Sequence, residues 1–286
     1  PGSTFKIVTA IAALRYLPNA QSRTFTCTGV MAFEKQSGKR VDASLALDED
    51  GNAKPGYALL RDVDGEAHGE LTLEEAFAHS CNNIFAGIAL ELGADKLKAV
   101  AEELGLNGEF NFGELVAYSG TYEKSASAFA LAWSGVGQHT DIMTPMHMCL
   151  LVSAIANDGV MMAPRLLYEA TTAEGAVVRT LESAAYKTLL KGDEATFLQN
   201  CMRAAVVEGT GKRAQIEGYT VCGKTGTAEV SASGNAAPHA WFAGFIAEEA
   251  RPYAICVVIE NGGGGGTVAA PVAQAVLKKA ISSIGD

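Results

Sequence analysis

The β-rich final quarter of the chain opens with the residues YTVCGKTGT, which begin at Tyr219. We predict a strand over residues 219–224 and two more at 240–247 and 253–260, because β-favouring residues cluster there between turn-prone segments. The connections between these strands are too short for parallel crossovers. The three strands should therefore form an antiparallel meander.

Helical patterns dominate the rest of the chain. An amphipathic helix is predicted at 270–284, and we interpret the glycine run before it, 262–266, as a flexible hinge. Upstream of the strands, apolar spacing and capping residues predict helices at 3–17, 72–80, 82–92, 95–104, 144–157 and 194–207. Helices followed by an antiparallel sheet with a covering helix predict an α+β architecture.

We interpret residues 1–286 as a single domain with two parts. Residues 19–218 should form a mostly helical subdomain, and residues 219–286 the antiparallel sheet and the C-terminal helix. Residues 26–69 differ from the rest of the helical part, since they are rich in Gly, Asp and Lys and carry several turn signals. We expect them to form an excursion of short strands and loops over the surface.

The composition narrows the possible partners. A net charge of −10 over 286 residues argues against a nucleic-acid partner, because no broad basic face could neutralise phosphates. No apolar run of 18 residues is present, so the sequence predicts no segment that spans a bilayer. The six cysteines form no C-x-x-C pair and no zinc-finger spacing, so we expect no metal site and no cofactor, and no disulfide framework is established.

The first chemical motif is formed by Ser3 and Lys6, three residues apart at the start of a predicted helix. Residues at this spacing share one helix face, so the lysine amine can reach the serine hydroxyl. A serine becomes a good nucleophile when a base takes its proton, and a lysine can do this once its pKa is lowered by burial or a neighbouring cation. Taken alone, the pattern is equally typical of an exposed helical lysine.

The second motif is Ser80-Cys81-Asn82, at the junction of two predicted helices. The Ser80 hydroxyl could relay a proton, and the Asn82 carboxamide could hold a substrate amide. Both residue types also cap helices for purely structural reasons. Cys81 could be a reactive thiol, but we favour a small apolar side chain that packs behind the site.

The third motif is Lys224-Thr225-Gly226-Thr227, at the end of the first predicted strand. Gly226 would let a substrate backbone approach the strand closely. Lys224 would supply positive charge for a carboxylate and lower the pKa of a neighbouring lysine.

The order and spacing of the three motifs are more specific than any one of them. Ser-x-x-Lys is followed 77 residues later by Ser-x-Asn, and Lys-Thr-Gly follows 144 residues after that. This is the signature of the penicilloyl serine transferases. Over essentially its full length, the chain resembles the transpeptidase domain of penicillin-binding proteins. Further residues that resemble landmarks of this family are PGSTFK at 1–6, SCNN at 80–83, GVGQ at 135–138, TPM at 144–146, GTG at 209–211, GKTGTAE at 223–229 and HAWFAG at 239–244.

The resemblance implies roles for three catalytic residues. Ser3 would be the acylated nucleophile, Lys6 its general base, and Ser80 the relay that passes a proton to the leaving amine. The acyl donor would be a peptidoglycan stem peptide ending in D-Ala-D-Ala, and an amine of a second stem peptide would complete the cross-link. β-Lactams would mimic the donor and leave Ser3 as a stable ester.

The resemblance also implies how the donor is bound. Asn82 would bind its amide, and the segment Lys224–Thr227 would bind its terminal carboxylate, with Lys224 and Thr225 as the main contacts and Thr227 adding a hydroxyl contact. The backbone N–H groups of Ser3 and Thr227 would form the oxyanion hole. One residue departs from the family pattern, since His139 stands where a glycine is frequent.

The resemblance carries an expectation about what lies upstream. In the family, a helix and two strands precede the Pro-Gly-Ser segment and complete a five-stranded sheet, whereas only three strands are predicted here. We therefore expect the chain to begin part-way through the fold. Any membrane contact would come through an upstream anchor outside this chain, with the domain on the extracytoplasmic face of the bacterial membrane.

Three alternatives remain open at this stage. A D,D-carboxypeptidase or a serine β-lactamase would share the fold, but a β-lactamase needs a group that activates water, for which Glu114 and Glu229 are the candidates. A P-loop NTPase is suggested by residues 218–225, which fit G-x-x-x-x-G-K-[ST]. That loop requires a strand before it and a helix after it, which the sequence does not predict. A non-catalytic binding module would arise if an incomplete sheet deformed the site.

Overall fold

The computed structural model describes residues 1–63, 65–113, 115–230 and 236–283. The α-helices in these ranges are α1 (Lys6–Tyr16), α2 (Ala43–Ala46), α3 (Leu73–Ala78), α4 (Asn82–Leu92), α5 (Ala94–Glu103), α6 (Ala128–Gly135), α7 (Pro145–Ala156), α8 (Gly192–Val207) and α9 (Ala270–Ser282). Short 3-10 helices occur at Gly2–Phe5 and Lys212–Ala214, and a π-helical turn occurs at Gly265–Ala269.

The strands are mostly short and pair antiparallel. They are β1 (Thr24–Cys27), β2 (Val30–Glu34), β3 (Arg40–Val41), β4 (Tyr57–Arg61), β5 (Gly69–Thr72), β6 (Glu109–Asn111), β7 (Val116–Tyr118), β8 (Val160–Met162), β9 (Glu169–Thr171), β10 (Val177–Thr180), β11 (Ala185–Thr188), β12 (Val221–Ala228), β13 (His239–Ile246) and β14 (Ala254–Ile259). The predicted α+β class is confirmed.

The central sheet has the order β12-β13-β14 and is antiparallel throughout, as the meander predicts. Its first strand is longer than expected. Val221 pairs with Ile246 and Ala228 pairs with His239, so the strand continues through the Lys-Thr-Gly motif instead of ending at Lys224.

The sheet lies between two hydrophobic cores, and β13 contributes to both because successive side chains of a strand point to opposite faces. Trp241, Ala243 and Phe245 pack into the larger core, which also contains most of the helices. Ala240, Phe242 and Ile246 pack into the smaller core beneath α9.

Helix α1 is the central helix of the larger core. All of its residues from Lys6 to Ala13 are buried, and it packs against α4, α5 and α8. A helix that is apolar all round is stable only in the interior. The sequence of α1 therefore carries Lys6, at its first position, into the core.

Several local features differ from the sequence-based expectations. Helix α6 and the strand pairs β6–β7, β9–β10 and β8–β11 were not predicted within the mostly helical part. The glycine run at 262–266 packs closely at every position except Gly263, so it does not form an open hinge. A Cβ on Gly265 would lie 2.2 Å from the carbonyl oxygen of Gly226. No helix in the described ranges is long and apolar enough to cross a bilayer.

Candidate active site

Ser3 and Lys6 lie where the 3-10 helix Gly2–Phe5 continues into α1. The Lys6 Nζ atom is 3.2 Å from Ser3 Oγ, as the Ser-x-x-Lys spacing predicts. Ser3 is half-buried and lines a cavity, whereas Lys6 is fully buried. The hydroxyl is thus accessible to a substrate, and the amine behind it is shielded from water.

Lys6 contacts three further oxygen atoms of the second motif. Its Nζ lies 2.5 Å from Ser80 O, 2.7 Å from Asn82 Oδ1 and 3.1 Å from Ser80 Oγ. The two shortest contacts are to carbonyl oxygens, which can only accept. A neutral amine can donate to both of them and direct its lone pair at a hydroxyl.

The environment of Lys6 favours this neutral form. Burial lowers the pKa of Lys6 to about 7, and the neighbouring Cys81 and Asp62 offset this only in part. A lysine with this pKa is available as a base near neutral pH. The geometry and the electrostatics of the site are therefore both compatible with the predicted transfer of the Ser3 proton to Lys6.

Ser80 has a left-handed backbone, with a φ of +58°. It follows α3 in a Schellman motif, in which Ser80 N donates to Phe77 O at 3.1 Å and Cys81 N donates to Ala76 O at 2.9 Å. Glycine is usual at this position, because a Cβ is unfavourable there. Strain retained at a residue that contacts Lys6 indicates a role for its side chain.

Asn82 is the first residue of α4, and both ends of its carboxamide are engaged. Oδ1 accepts from Lys6, and Nδ2 donates to Arg61 O at 2.9 Å. The buried Asp62 carboxylate accepts from the backbone N–H groups of Asn82 and Asn83 and thereby caps α4. Asp62 was missed in the sequence, because nothing in residues 26–69 marks it as a partner of α4.

Lys224 lies in β12 and is fully buried. Burial lowers its pKa well below the usual range, and the positive charge of Lys6 lowers it further. Its Nζ is 5.6 Å from the centre of the Phe77 ring, a cation–π distance. Next to it, Thr225 Oγ1 lies 2.6 Å from Thr210 Oγ1, a hydroxyl partner whose contact the sequence did not reveal.

Gly226 has a different role from the one expected. It does not line the cavity, because the segment that carries Ser3 covers it: a Cβ on Gly226 would lie 2.6 Å from Pro1 O and 3.0 Å from Thr4 Cγ2. Gly226 therefore brings Ser3 close to β12. Thr227 faces the cavity, and its Oγ1 accepts from Gly265 N at 3.2 Å.

One cavity of about 910 Å³ brings the motifs together. The predicted site residues that line it are Ser3, Ser80, Asn82, Thr225 and Thr227, while Lys6 and Lys224 lie buried behind it. Lys212 and Arg213 also line the cavity and were not identified from the sequence, although they directly follow the Gly209–Gly211 landmark. These two cations give the cavity an affinity for anionic groups.

The geometry agrees with comparisons to known proteins. The family model of the penicillin binding protein transpeptidase domain matches residues 30–278. The chain belongs to this family. The peptidoglycan D,D-transpeptidase PbpA of Mycolicibacterium smegmatis is 31% identical to the transpeptidase chain over 290 residues, which cover 98% of the chain and 55% of that protein. Stage V sporulation protein D of Bacillus subtilis is 27% identical, over 100% of the chain and 42% of that protein.

Solved structures of the family superimpose well on this transpeptidase chain. The ceftriaxone acyl-enzyme complex of penicillin-binding protein A from M. tuberculosis has a TM-score of 0.80 and 28% identity, covering 98% of the chain and 60% of that structure. The D,D-transpeptidase domain from Eggerthella lenta has a TM-score of 0.81 and 29% identity, covering 100% and 66%. The chain spans about half the length of the curated relatives named above.

The P-loop alternative is wrong for this transpeptidase chain. Residues 221–228 form one continuous strand, so the Gly-Lys-Thr of the pattern lies inside β12 and no helix begins there. A P-loop binds phosphate with the backbone N–H groups at the N-terminus of the helix that follows it. This segment of the described chain has no such helix.

The structure also shows where one of the candidate water-activating carboxylates and His139 lie. Of the two carboxylates considered for water activation, Glu229 lines the cavity, and Glu114 lies outside the described residues. His139 is exposed and has a φ of +73°, so the position where the family often has glycine adopts the left-handed backbone that glycine favours.

Proposed function

We propose that this chain is the catalytic domain of a D,D-transpeptidase that cross-links peptidoglycan stem peptides through an acyl-enzyme on Ser3. The observation that carries the proposal is the buried Lys6 amine, 3.2 Å from Ser3 Oγ and 3.1 Å from Ser80 Oγ. A base between two hydroxyls can take a proton from one and return it through the other. The names of the relatives and the acyl-enzyme structures of penicillin-binding protein A support it.

In the first half of the reaction, Lys6 takes the Ser3 proton while Ser3 Oγ attacks the carbonyl carbon of the penultimate D-Ala of the donor. The backbone N–H groups of Ser3 and Thr227 would stabilise the oxyanion. The peptide C–N bond then breaks, and the leaving D-Ala takes a proton that passes from Lys6 through Ser80. The donor remains bound to Ser3 as an ester.

In the second half, the amine of a second stem peptide attacks this ester. A new amide bond forms, the bond between the acyl carbon and Ser3 Oγ breaks, and a proton of the attacking amine passes through Lys6 to Ser3 Oγ. Before the terminal D-Ala leaves, the donor would be held by Asn82 at its amide and by Thr225 and Thr227 at its terminal carboxylate, with Lys224 buried behind the cavity. Lys212 and Arg213, which line the same cavity, add attraction for that carboxylate.

β-Lactams would acylate Ser3 in place of the donor. Because the acceptor would be a peptidoglycan stem peptide, the domain would work on the extracytoplasmic face of the bacterial cell membrane.

The proposal is tested with a synthetic peptide ending in D-Ala-D-Ala and an excess of an isotopically labelled acceptor amine. A transpeptidase yields the peptide joined to the acceptor, detected by mass spectrometry, and no product with Ser3→Ala. A product that has lost D-Ala without gaining the acceptor would assign a carboxypeptidase. If the acyl-enzyme formed with fluorescent penicillin is hydrolysed rapidly, the chain is a β-lactamase. If neither the peptide nor the penicillin acylates the chain, the proposal is overturned.

A further inference from the structure

Four potential metal ligands from distant parts of the sequence meet behind the second motif. They are Cys27, Asp62, His68 and Cys81, and one donor atom of each lies within 4.8 Å of all the others. Cys27 ends β1, Asp62 follows β4, His68 precedes β5 and Cys81 precedes α4. All except His68 are buried, and the His68 side chain is 19% exposed.

Four of the six donor–donor distances in this Cys27–Cys81 cluster are 3.1–3.6 Å, close to those around a single tetrahedral ion, and the other two are at most 4.8 Å. Cys27 Sγ lies 3.1 Å from Asp62 Oδ2 and 3.4 Å from His68 Nδ1, and Asp62 Oδ2 lies 3.6 Å from His68 Nδ1. Cys81 Sγ lies 3.3 Å from Asp62 Oδ2. In a tetrahedral zinc site, metal–ligand bonds of about 2.0–2.3 Å place neighbouring donor atoms roughly 3.3–3.8 Å apart.

The types of ligand select among metals. Two cysteine sulfurs, one imidazole and one carboxylate suit Zn²⁺, whereas Mg²⁺ and Ca²⁺ prefer sites built of oxygen atoms. With four protein donors the coordination sphere is closed, which is typical of a structural ion and not of a catalytic one.

Outer contacts support the same donor atoms. Asp62 uses Oδ2 toward the cluster while Oδ1 accepts from the backbone N–H groups of Asn82 and Asn83. Cys81 Sγ accepts from Ile84 N at 3.3 Å, a contact at a helix N-terminus that stabilises negative charge on sulfur. Ligands of metal sites are commonly oriented by such contacts.

We propose that Cys27, Asp62, His68 and Cys81 bind one structural Zn²⁺. The ion ties the excursion at residues 26–69 to the start of α4, where Asn82 and Ser80 begin the wall of the cavity. The proposed binding of Zn²⁺ does not depend on the proposed enzymatic function. Only the catalytic consequence of the ion, through the positions of Ser80 and Asn82, rests on that function.

The direct test uses Co²⁺ as a spectroscopic substitute for Zn²⁺. The full chain is reduced, stripped of metal with a chelator and titrated with Co²⁺ in a reducing buffer that does not bind the metal. We expect a thiolate-to-cobalt charge-transfer band that saturates at one equivalent and disappears when one equivalent of Zn²⁺ is added. A folded chain that shows no such band, or binds Zn²⁺ without displacing Co²⁺, would overturn the proposal.

Variants assign the ligands. Cys27→Ser and His68→Ala should each weaken Zn²⁺ binding at least about a hundredfold. The controls are Cys149→Ser, a half-buried cysteine outside the cluster, and His79→Ala, whose ring stacks on His68 at 5.6 Å. Both controls should bind Zn²⁺ as the parent chain does. Equal losses in variants and controls would contradict the assignment, and the Co²⁺ titration of the parent chain decides the matter if a variant does not fold.

Discussion

Substituting Ser80 by glycine and by alanine separates two roles that this residue combines. Both changes remove the hydroxyl that lies 3.1 Å from Lys6 Nζ. They differ at the backbone, because φ is +58° at Ser80 and this conformation is costly for any residue with a Cβ. Alanine retains that strain, and glycine relieves it.

The magnitude of the difference follows from the backbone. A left-handed conformation costs an L-residue roughly 1–2 kcal/mol, and the greater entropy of glycine in the unfolded chain offsets about 0.5–1 kcal/mol of this. Ser80→Gly should therefore unfold with a free energy about 1 kcal/mol higher than Ser80→Ala, equivalent to roughly 2 °C in melting temperature. Both variants should be acylated about 10²–10⁴-fold more slowly than the parent chain, the range for loss of one proton-transfer group.

The assay combines denaturant unfolding with stopped-flow acylation by a fluorescent penicillin. The control is Asn19→Gly, at an exposed residue with a φ of +54° that does not line the cavity, and this variant should be acylated at the parent rate. If the alanine variant is as stable as the glycine variant, the backbone strain is refuted. If either Ser80 variant is acylated at the parent rate, the proton relay is refuted.

Three further predictions concern the surroundings of the nucleophile. The acylation rate should rise with pH through about 7 and level off above it, because burial lowers the pKa of Lys6 to about 7 and the neutral amine is the base. One pH unit below that pKa, the rate should be about a tenth of its plateau value. A rate measured with fluorescent penicillin that stays constant from about pH 5 to 9 would contradict this. Gly226→Ala should lower the free energy of unfolding by about 1–3 kcal/mol and slow acylation, because the added Cβ would lie 2.6 Å from Pro1 O. The control is Gly192→Ala, where the space around the added Cβ is open, and it should change neither the free energy of unfolding nor the acylation rate. Thr72→Ala removes the hydroxyl that accepts from Glu75 N at the start of α3 and should lower the free energy of unfolding by about 1 kcal/mol, with penicillin acylation as the readout that should stay unchanged.

The sequence predicts the parts of the site that depend on local spacing. Ser3 and Lys6 share one helix face because they are three residues apart, so their contact needs no knowledge of the fold. The capping box at Thr72 and the start of α4 at Asn82 are local in the same way, and both are found in the structure. The three β-rich segments likewise carry enough alternation and turn chemistry to predict an antiparallel sheet.

Other features depend on contacts between distant residues. The left-handed backbone of Ser80 arises from the Schellman motif after α3, where a serine gives no sign that it replaces the usual glycine. Gly226 was expected to admit a substrate, but its Cβ position is filled by the segment that begins at Pro1, which only the folded chain brings there.

The proposed metal site illustrates the same limit most clearly. Cys27, Asp62, His68 and Cys81 are spread over four elements, and their spacing matches no metal-binding pattern, so the sequence led us to expect no metal. Their convergence depends on how residues 26–69 fold back against the start of α4.

The central claim is that Ser3 is the nucleophile, and intact-protein mass spectrometry after incubation with benzylpenicillin tests it most directly. The account predicts a single adduct of the mass of penicillin, located by peptide mapping on Ser3 and lost in Ser3→Ala. The Ser22→Ala variant, which changes a serine outside the site, should keep the adduct. An adduct that persists in Ser3→Ala, or that maps to another residue, would contradict the account.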